Sequence, residues 1–467
     1  MPSGISVQLS RVYGFSGSHM RNNVRLDVQG RLLYPAASTV VQHDIGTDTQ
    51  AHVCHHTDVI TAMAVSPSGA TVATGQRGRA AASANVGQIR RACIVVWDAA
   101  TSRTLARFDT HWVGVALLAF SHDADNRYLV SVGADLRHHF TIYDLQSGAQ
   151  WSLPLGERPV LGLAIAPPPQ PRQPVNDEST RFDTPPPADA LDQSHEAAVA
   201  TRNRSTNMTH AAAPAVLVAG SRFAAVLMPN STADGHWLSY TRVDCHLTRG
   251  VIPVRVRGNR ELFTDCCFIL RKFSSRVHKR WHRADTPGVP VAPGVSWGGG
   301  MDRQGLFSIV PIVVSGTPYQ SGKIYEFEGV EAARAVQRVV AKIHTGMATA
   351  PILCCHSDLQ RSLLVFGCAD GAVNVMSTQN MKVNDHCCRV LMLTLSCSLS
   401  HPFAHAFHPD HCLRPHLPSP LPQVVKRVTL PSAVRSVVMT GDGSYLVAGT
   451  AECKIWRHHF GNELRQI

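Results

Sequence analysis

Apolar and polar residues alternate in short stretches along this chain, and turns rich in Gly, Ser, Asp and Pro separate the stretches. Residues 58–78, DVITAMAVSPSGATVATGQRG, form two such stretches around SPSG, and residues 93–108, CIVVWDAATSRTLARF, form two more. A period of two residues is typical of β-strands, because successive side chains point to opposite faces. Residues 113–155 repeat the order, with Tyr143-Asp144 in place of Trp97-Asp98. The pattern predicts a repeating unit of four antiparallel strands.

Five further segments contain parts of the same unit, at residues 27–48, 158–168 with 216–228, 312–329, 348–377 and 433–460. We expect residues 312–329 to form a third and a fourth strand. A small antiparallel sheet cannot bury both of its faces alone, so such units stack around an axis and share a core. The sequence therefore predicts an all-β fold, a β-propeller with one seven-bladed ring and disordered insertions.

Several residues of the repeat are expected to have structural roles. Aromatic side chains near the end of the third strand, Trp97, Tyr143 and Trp456, should pack between neighbouring sheets. Asp135 and Asp370 lie in glycine-containing turns, where an Asp side chain usually accepts hydrogen bonds from the backbone. His56 precedes the first strand of the second unit, and we interpret it as a structural residue that hydrogen-bonds within that unit.

Charge distribution indicates an acidic partner. The chain has 467 residues and a net charge of +11. Residues 249–283 contain ten Lys or Arg residues and two acidic ones. Such a segment attracts acidic protein surfaces. The alternative is a solvated loop without a partner. Nucleic-acid binding is a weaker option, because the segment has few aromatic residues on which bases could stack. The candidate partner-binding residues are Arg255, Arg257, Arg260, Arg271, Lys272, Arg276, Lys279 and Arg280.

The remaining composition favours a soluble intracellular protein. No basic segment followed by an apolar one begins the chain, and the longest apolar runs are too short to cross a membrane. The 13 cysteines occur singly or as adjacent pairs without a CxxC motif, which favours reduced thiols. No heptad repeat suggests self-association, so a monomer is expected.

Two segments interrupt the repeat. Residues 166–214 are rich in Pro, Ala and polar residues, which predicts a disordered insertion. Residues 383–423 are rich in Cys, His and Pro. Zinc is one hypothesis for them, but the spacing matches no zinc module, and we predict no metal or cofactor. The alternative hypothesis is that this stretch is a gene-model artefact, since its removal joins QNMK to VVKRVTL as a normal connection between blades.

Enzymatic motifs are missing from the sequence. There is no G-x-S-x-G nucleophile motif and no HExxH metalloprotease motif. Residues 316–324, GTPYQSGKI, have the wrong glycine spacing for a phosphate loop and fit a tight turn between strands better. A protein without enzymatic activity is therefore predicted, and an enzyme or sensor that uses the central channel is the alternative.

The start of the chain resembles a known family. Residues 11–23, RVYGFSGSHMRNN, closely resemble the HELP motif that precedes the WD repeats of the echinoderm microtubule-associated protein-like (EMAP-like) family. The matching residues are Val12, Tyr13, Gly14, Gly17, Arg21, Asn22 and Asn23. Ciliary WD-repeat proteins of the flagella-associated 52 type have a similar opening and are the alternative.

The resemblance implies function and architecture. The motif would be an integral part of the propeller, with its apolar residues packed among the blades. The protein would be a scaffold on microtubules or the axoneme that binds tubulin, axonemal or other cytoskeletal proteins, in the cytoplasm and cytoskeleton or in a cilium. A protein-interaction adaptor unrelated to microtubules is the alternative function.

The expected organisation divides the chain into six parts. They are an N-terminal tail (1–10), the HELP motif and first blades (11–165), the Pro-rich insertion (166–214), the middle blades (215–382) with a basic insertion (249–283), the Cys/His/Pro-rich insertion (383–423), and the last blade (424–467).

Overall fold

The strands of the chain form separate four-stranded sheets. The computed structural model describes residues 9–18, 20–78, 92–123, 125–167, 213–221, 223–230, 239–244, 262–273, 306–316, 322–328, 340–344, 348–378, 424–460 and 464–466. Within these residues the chain forms 28 β-strands and no helix. Each sheet is an antiparallel meander of four consecutive strands.

The first three sheets are blades 1 to 3. Blade 1 contains β1 (Arg25–Leu26), β2 (Leu32–Ala36), β3 (Thr39–Asp44) and β4 (Thr49–Val53). Blade 2 contains β5 (Ile60–Val65), β6 (Thr71–Gln76), β7 (Ile94–Asp98) and β8 (Thr104–Phe108). Blade 3 contains β9 (Val115–Phe120), β10 (Tyr128–Gly133), β11 (His139–Asp144) and β12 (Gln150–Pro154).

The remaining four sheets are blades 4 to 7. Blade 4 contains β13 (Val160–Ile165), β14 (Val216–Gly220), β15 (Phe223–Asn230) and β16 (Ser239–Asp244). Blade 5 contains β17 (Phe263–Phe273), β18 (Leu306–Ser315), β19 (Lys323–Glu328) and β20 (Val340–His344). Blade 6 contains β21 (Ile352–Asp358), β22 (Leu363–Cys368), β23 (Ala372–Ser377) and β24 (Val424–Thr429). Blade 7 contains β25 (Val434–Met439), β26 (Tyr445–Thr450), β27 (Ile455–His459) and β28 (Leu464–Gln466).

The first strands of consecutive blades lie side by side around a central channel. β5 contacts β1 and β9, β13 contacts β9 and β17, and β21 contacts β17 and β25. The predicted all-β propeller with seven blades is therefore confirmed.

Six of the seven inner strands have a β-bulge at the same position. The residue next to the strand start has no opposite partner on the second strand, in β5, β9, β13, β17, β21 and β25. A bulge leaves one residue free for other contacts. In two cases a threonine uses this freedom: Thr61 donates to the carbonyl of Val115, and Thr264 donates to that of Ile352, each at 2.6 Å. The bulges thus connect neighbouring inner strands.

Aromatic side chains of the third strands lie between blades, as predicted. Trp97 is fully buried in one cluster with Leu33 of blade 1, and Tyr143 is fully buried in one cluster with Ile94 of blade 2. Trp456 packs less completely, against the cluster shared by blades 6 and 7. Burial of each large apolar side chain contributes roughly 1.5–3 kcal/mol, so these contacts stabilise the stacking of neighbouring blades.

Blades 2 and 3 contain equivalent buried hydrogen-bond networks. His56 contacts Thr74 at 2.7 Å, and Trp97 Nε1 donates to the same hydroxyl at 3.3 Å. In blade 3, His111 contacts Ser131 at 2.7 Å. The Tyr143 hydroxyl contacts the same Ser131 hydroxyl, in the place that the Trp97 indole has in blade 2. Burial lowers the pKa of both imidazoles to about 4, so they are neutral at pH 7. The structural interpretation of His56 is confirmed.

The predicted turn aspartates, Asp135 and Asp370, and the aspartates that end two third strands, Asp98 and Asp144, accept hydrogen bonds from nearby groups. Asp135 accepts from Arg137 N and the His139 ring, and Asp370 accepts from Ala372 N and Thr349 Oγ1. Asp98 accepts from Thr101 N and Oγ1. Asp144 accepts from Gln146 N, Ser147 N and the Arg127 guanidinium. All four carboxylates therefore have partners that hold their turns.

Blade 5 differs from the prediction. Residues 263–273, within the expected basic insertion, form its inner strand β17, and residues 312–329 lie in its second and third strands, not its third and fourth. Flanking charges obscured the apolar run FTDCCFIL, whose Phe263 and Phe268 are buried. A buried inner strand thus interrupts the basic segment. The two other predicted insertions, 166–214 and 383–423, lie almost entirely outside the described residues.

Candidate functional site at the junction of the first and last blades

The N-terminal segment, residues 11–24, lies between blade 1 and blade 7. Phe15 is 5% exposed and belongs to a cluster with Tyr34 of blade 1 and Val438 and Val447 of blade 7. The rings of Phe15 and Tyr34 meet edge to face, with centroids 6.3 Å apart. The segment is therefore part of the core between these two blades, as its resemblance implied.

Backbone atoms of this segment hydrogen-bond to both blades. Ser16 N donates to the carbonyl of Pro35 in blade 1 at 3.0 Å. Asn22 N donates to the carbonyl of Arg435 at 3.1 Å, and Val24 N donates to Ser436 Oγ at 3.1 Å, both in blade 7. Because backbone hydrogen bonds are directional and specific, these contacts fix how the first and last blades meet. The N-terminal segment thus closes the ring.

Glycines of the motif permit close approach and an unusual backbone conformation. A Cβ atom at Gly17 would overlap the carbonyl oxygen of Thr450 in blade 7. Gly14 has a φ of 82°, in the region that side chains disfavour. Both positions therefore require glycine for the segment to fit against blade 7.

Tyr13 differs from the expectation that the apolar residues of the motif pack among the blades. Val12 is half-buried against the junction cluster, and its N–H donates to Gln50 Oε1 at 2.9 Å. Tyr13 is 85% exposed, and the Arg11 guanidinium lies 5.6 Å from its ring centroid. Neighbouring residues of an extended chain point to opposite sides, so a buried Val12 directs Tyr13 to solvent. The expectation is correct for Val12 and Phe15 and wrong for Tyr13.

A cavity of about 200 Å³ opens beside the exposed ring. It is lined by Arg11, Val12, Tyr13, Gly14, Tyr34, His43, Gln50, Cys453, Lys454 and Ile455. Arg11 and His43 both contact Asp48, and these two partners hold the pKa of that carboxyl down at about 2. Arg11 and His43 therefore share one carboxylate at the edge of the cavity.

The other end of the N-terminal segment reaches across the channel to blade 5. Arg21 Nη1 donates to the carbonyl of Thr264 at 3.0 Å, and Asn22 Nδ2 donates to Asp265 Oδ2 at 2.7 Å. Asn22 has a φ of 51°, a left-handed conformation that asparagine tolerates better than most residues. Asn23 is fully buried and donates to the carbonyl of Ser16 within the segment. All three polar residues of the motif therefore have structural contacts.

Asp265 is a buried acid at the centre of this contact. It accepts hydrogen bonds from Cys266 N at 2.9 Å and from Cys355 N of blade 6 at 2.8 Å, besides that from Asn22. Burial raises the pKa of this carboxyl, although the three N–H donors oppose the shift. Asp265 thus joins three parts of the ring: blade 5, blade 6 and the N-terminal segment.

Sequence reasoning missed Asp265, and a signal for it was present. The residue after the bulge is small in four of the five other bulged inner strands, namely Ala62, Gly162, Cys354 and Ser436, and it is Leu117 in β9. Aspartate departs from this pattern at an otherwise buried position. The signal is hidden because the net charge of residues 249–283 predicts an insertion where this strand lies.

Most predicted partner-binding residues have no described position. Arg271 and Lys272 lie in the inner strand β17. Arg255, Arg257, Arg260, Arg276, Lys279 and Arg280 lie outside the described residues. The basic segment therefore remains a prediction as a binding site.

Neither a metal centre nor a membrane-spanning helix is present in the described residues. Within the described residues, no three His, Cys, Asp or Glu side chains lie close enough together to hold a metal ion. The segment of the zinc hypothesis, 383–423, falls outside them. No helix in the described part of the chain is long and apolar enough to cross a membrane.

Comparison with known proteins supports the resemblance of the opening segment. The HELP motif family matches residues 4–41. Echinoderm microtubule-associated protein-like 1 of Rattus norvegicus is 30% identical over 147 residues, which are 30% of this chain and 17% of that protein. Echinoderm microtubule-associated protein-like 4 of Homo sapiens is 32% identical over 146 residues, which are 31% of this chain and 15% of that protein. The matched part thus spans less than a fifth of either relative.

A solved structure, that of U3-55K, is 12% identical and has a TM-score of 0.46, covering 94% of this chain and 90% of that one. The sequence matches support the first of the two predicted resemblances and not the second. The chain contains a HELP motif built into a seven-bladed propeller, and its similarity to the EMAP-like family is confirmed over about 30% of its length.

Proposed function

We propose that this protein is a non-enzymatic WD-repeat scaffold that associates with microtubules. It binds tubulin or other cytoskeletal proteins through the rims of the propeller and through the basic segment 249–283. The similarity to proteins named for their association with microtubules is the observation that carries this proposal. The HELP motif of this chain closes the ring, so this element belongs to the propeller scaffold itself.

Electrostatics supports an acidic partner. Residues 249–283 have an excess of eight positive charges, from ten Lys or Arg residues and two acids. Opposite charges steer association and add affinity at low ionic strength, and salt screens that contribution. Binding that depends on this segment should therefore weaken as salt rises.

The titratable groups of the described interior favour a scaffold over an enzyme. His56 and His111 have low pKa values because they are buried in structural hydrogen-bond networks. Asp265 holds three chain segments together instead of facing open solvent. These groups serve the architecture of the ring, whereas a catalytic site needs titratable groups that converge on a substrate.

Co-sedimentation with microtubules tests the proposal. The full chain is expected to sediment with microtubules at low salt and to be largely released at high salt. A triple variant, Arg255→Gln, Arg257→Gln and Arg260→Gln, should sediment less at low salt. The matched control changes three exposed arginines outside the basic segment, Arg103→Gln, Arg137→Gln and Arg158→Gln, and should lose less co-sedimentation than the first triple variant.

Two outcomes would contradict the proposal in different ways. Absence of co-sedimentation at every salt concentration would reject the association with microtubules. Equal losses in both triple variants would reject the specific role of the basic segment and leave only general charge attraction. A tagged copy in cells should follow the tubulin network, and a nuclear or diffuse signal would favour an adaptor unrelated to microtubules.

A further inference from the structure

Three arginines meet where the N-terminal segment crosses the channel. Arg21 contacts blade 5, and Arg25 directly follows Val24, which hydrogen-bonds to Ser436 of blade 7. Arg435 occupies the bulge of β25, and its carbonyl accepts the N–H of Asn22. Each of the three side chains is partly exposed, so solvent reaches the cluster. The HELP motif thus places two positive charges beside a third from the last blade.

The protein supplies little negative charge to balance them. Among the described residues, no carboxylate forms an ion pair with any of the three guanidinium groups. Arg21 donates to the carbonyl of Thr264, Arg25 donates to that of Val24 at 3.3 Å, and the Nε of Arg435 is buried without a hydrogen-bond partner. The nearby Asp265 already accepts three N–H donors.

Arg21 and Arg435 repel each other, and the Asp265 carboxylate attracts both Arg21 and Arg25. Burial lowers the pKa of Arg21, and the neighbouring Arg435 lowers it further because like charges repel. Burial also lowers the pKa of Arg25. His356 of blade 6 lies in the same interior, and burial lowers its pKa to about 4, so it adds no positive charge at pH 7. One carboxylate does not balance three partly buried guanidinium groups, and an anion that entered the cluster would reduce the cost of the unbalanced charge.

We propose that Arg21, Arg25 and Arg435 form a binding site for a phosphate-type anion at the centre of the ring. Three guanidinium groups and one carboxylate leave an excess of about two positive charges, which matches a phosphate dianion and exceeds a single carboxylate. The planar fork of arginine suits the oxygens of phosphate. The orphaned Nε of Arg435 supplies a donor that awaits an acceptor.

Calorimetric titration of the full chain with inorganic phosphate tests this site. Titrations are made at pH 7.5 in chloride buffer with matched ionic strength. Phosphate should bind the original chain, and Arg25→Gln or Arg435→Gln should each weaken the affinity by about tenfold, the effect of losing a charged hydrogen bond. The control Arg103→Gln removes an exposed charge from blade 2 and should leave the affinity unchanged. Arg25 and Arg435 belong to different blades, so either variant decides the matter if the other does not fold.

Thermal unfolding gives a second readout, in which the same substitution is expected to raise the stability measured without phosphate. Without phosphate, Arg435→Gln should raise the unfolding midpoint, because it relieves the repulsion with Arg21. With phosphate, the midpoint of the original chain should rise and that of the variant should not. The proposal would be overturned by absent phosphate binding, by equal affinity in the cluster variants and the control, or by binding of a hexaglutamate peptide in place of phosphate.

Discussion

The junction between blades 2 and 3 and the junction between blades 7 and 1 solve the same packing problem with different chain segments. At the first, Gly75 is the penultimate residue of β6 in blade 2, and its missing side chain leaves room for Val115 at the start of the next inner strand. At the second, Gly449 has the equivalent place in blade 7 and faces Phe15 and Val24 of the N-terminal segment, both with atoms 2.8 Å from where a Cβ would lie.

The comparison shows that the HELP motif replaces a regular blade start. Val24 occupies the position that Val115 has between blades 2 and 3, and Phe15 fills the space beside it. The inner strand that follows, β1, is only two residues long, whereas β5 and β9 have six residues each. The motif therefore compensates for a short inner strand at the point where the ring must close.

The largest expected effect comes from removal of the aromatic ring at the closing junction. Phe15→Ala should lower the free energy of unfolding by about 3–5 kcal/mol, because it leaves a cavity between blades 1 and 7. Urea unfolding followed by tryptophan fluorescence measures this change.

Phe120→Ala is the matched substitution at a regular junction. Phe120 is buried in the cluster shared by blades 2 and 3, so its loss should be similar. A negligible loss for Phe15→Ala beside a large one for Phe120→Ala would show that the N-terminal segment is a dispensable attachment and not a structural closure.

Acid should weaken the regular junctions through their buried histidines. The pKa values of His56 and His111 are about 4 in the folded protein and about 6.5 when unfolded, so the unfolded state binds more protons between these values. Stability should therefore be complete above pH 6.5 and fall toward pH 4, by about 1.4 kcal/mol per pH unit for each fully titrating histidine.

Comparison with a His56→Gln variant isolates this contribution. Urea unfolding between pH 7 and pH 5 should show a shallower pH dependence for the variant than for the original chain. Parallel curves would mean that His56 does not remain neutral in the folded state.

The smallest effect is expected for the exposed ring of the motif. Tyr13→Ala should change the free energy of unfolding by less than about 0.5 kcal/mol, because the side chain is 85% exposed and contacts only a surface arginine in the described structure. A loss near that of Phe15→Ala, in the same urea experiment, would show that Tyr13 packs into the junction after all.

Local signals made much of the fold predictable. Alternation identified the strands of blades 2 and 3, and the repeat placed Trp97 and Tyr143 between sheets because a four-stranded unit must share its apolar faces. Alternation did not identify β17, because Arg271 and Lys272 adjoin its buried part and the net charge of the segment indicates a solvated insertion. Its acid, Asp265, was then overlooked.

The sequence by itself determined the seven-bladed ring and the presence of the HELP motif, because periodicity and short motifs are local properties of the chain. The tertiary structure alone decided that Asn22 meets Asp265, 243 positions away, and that Arg21, Arg25 and Arg435 share one region of the channel. Contacts across a closed ring depend on how all the blades stack, and no local pattern records that geometry.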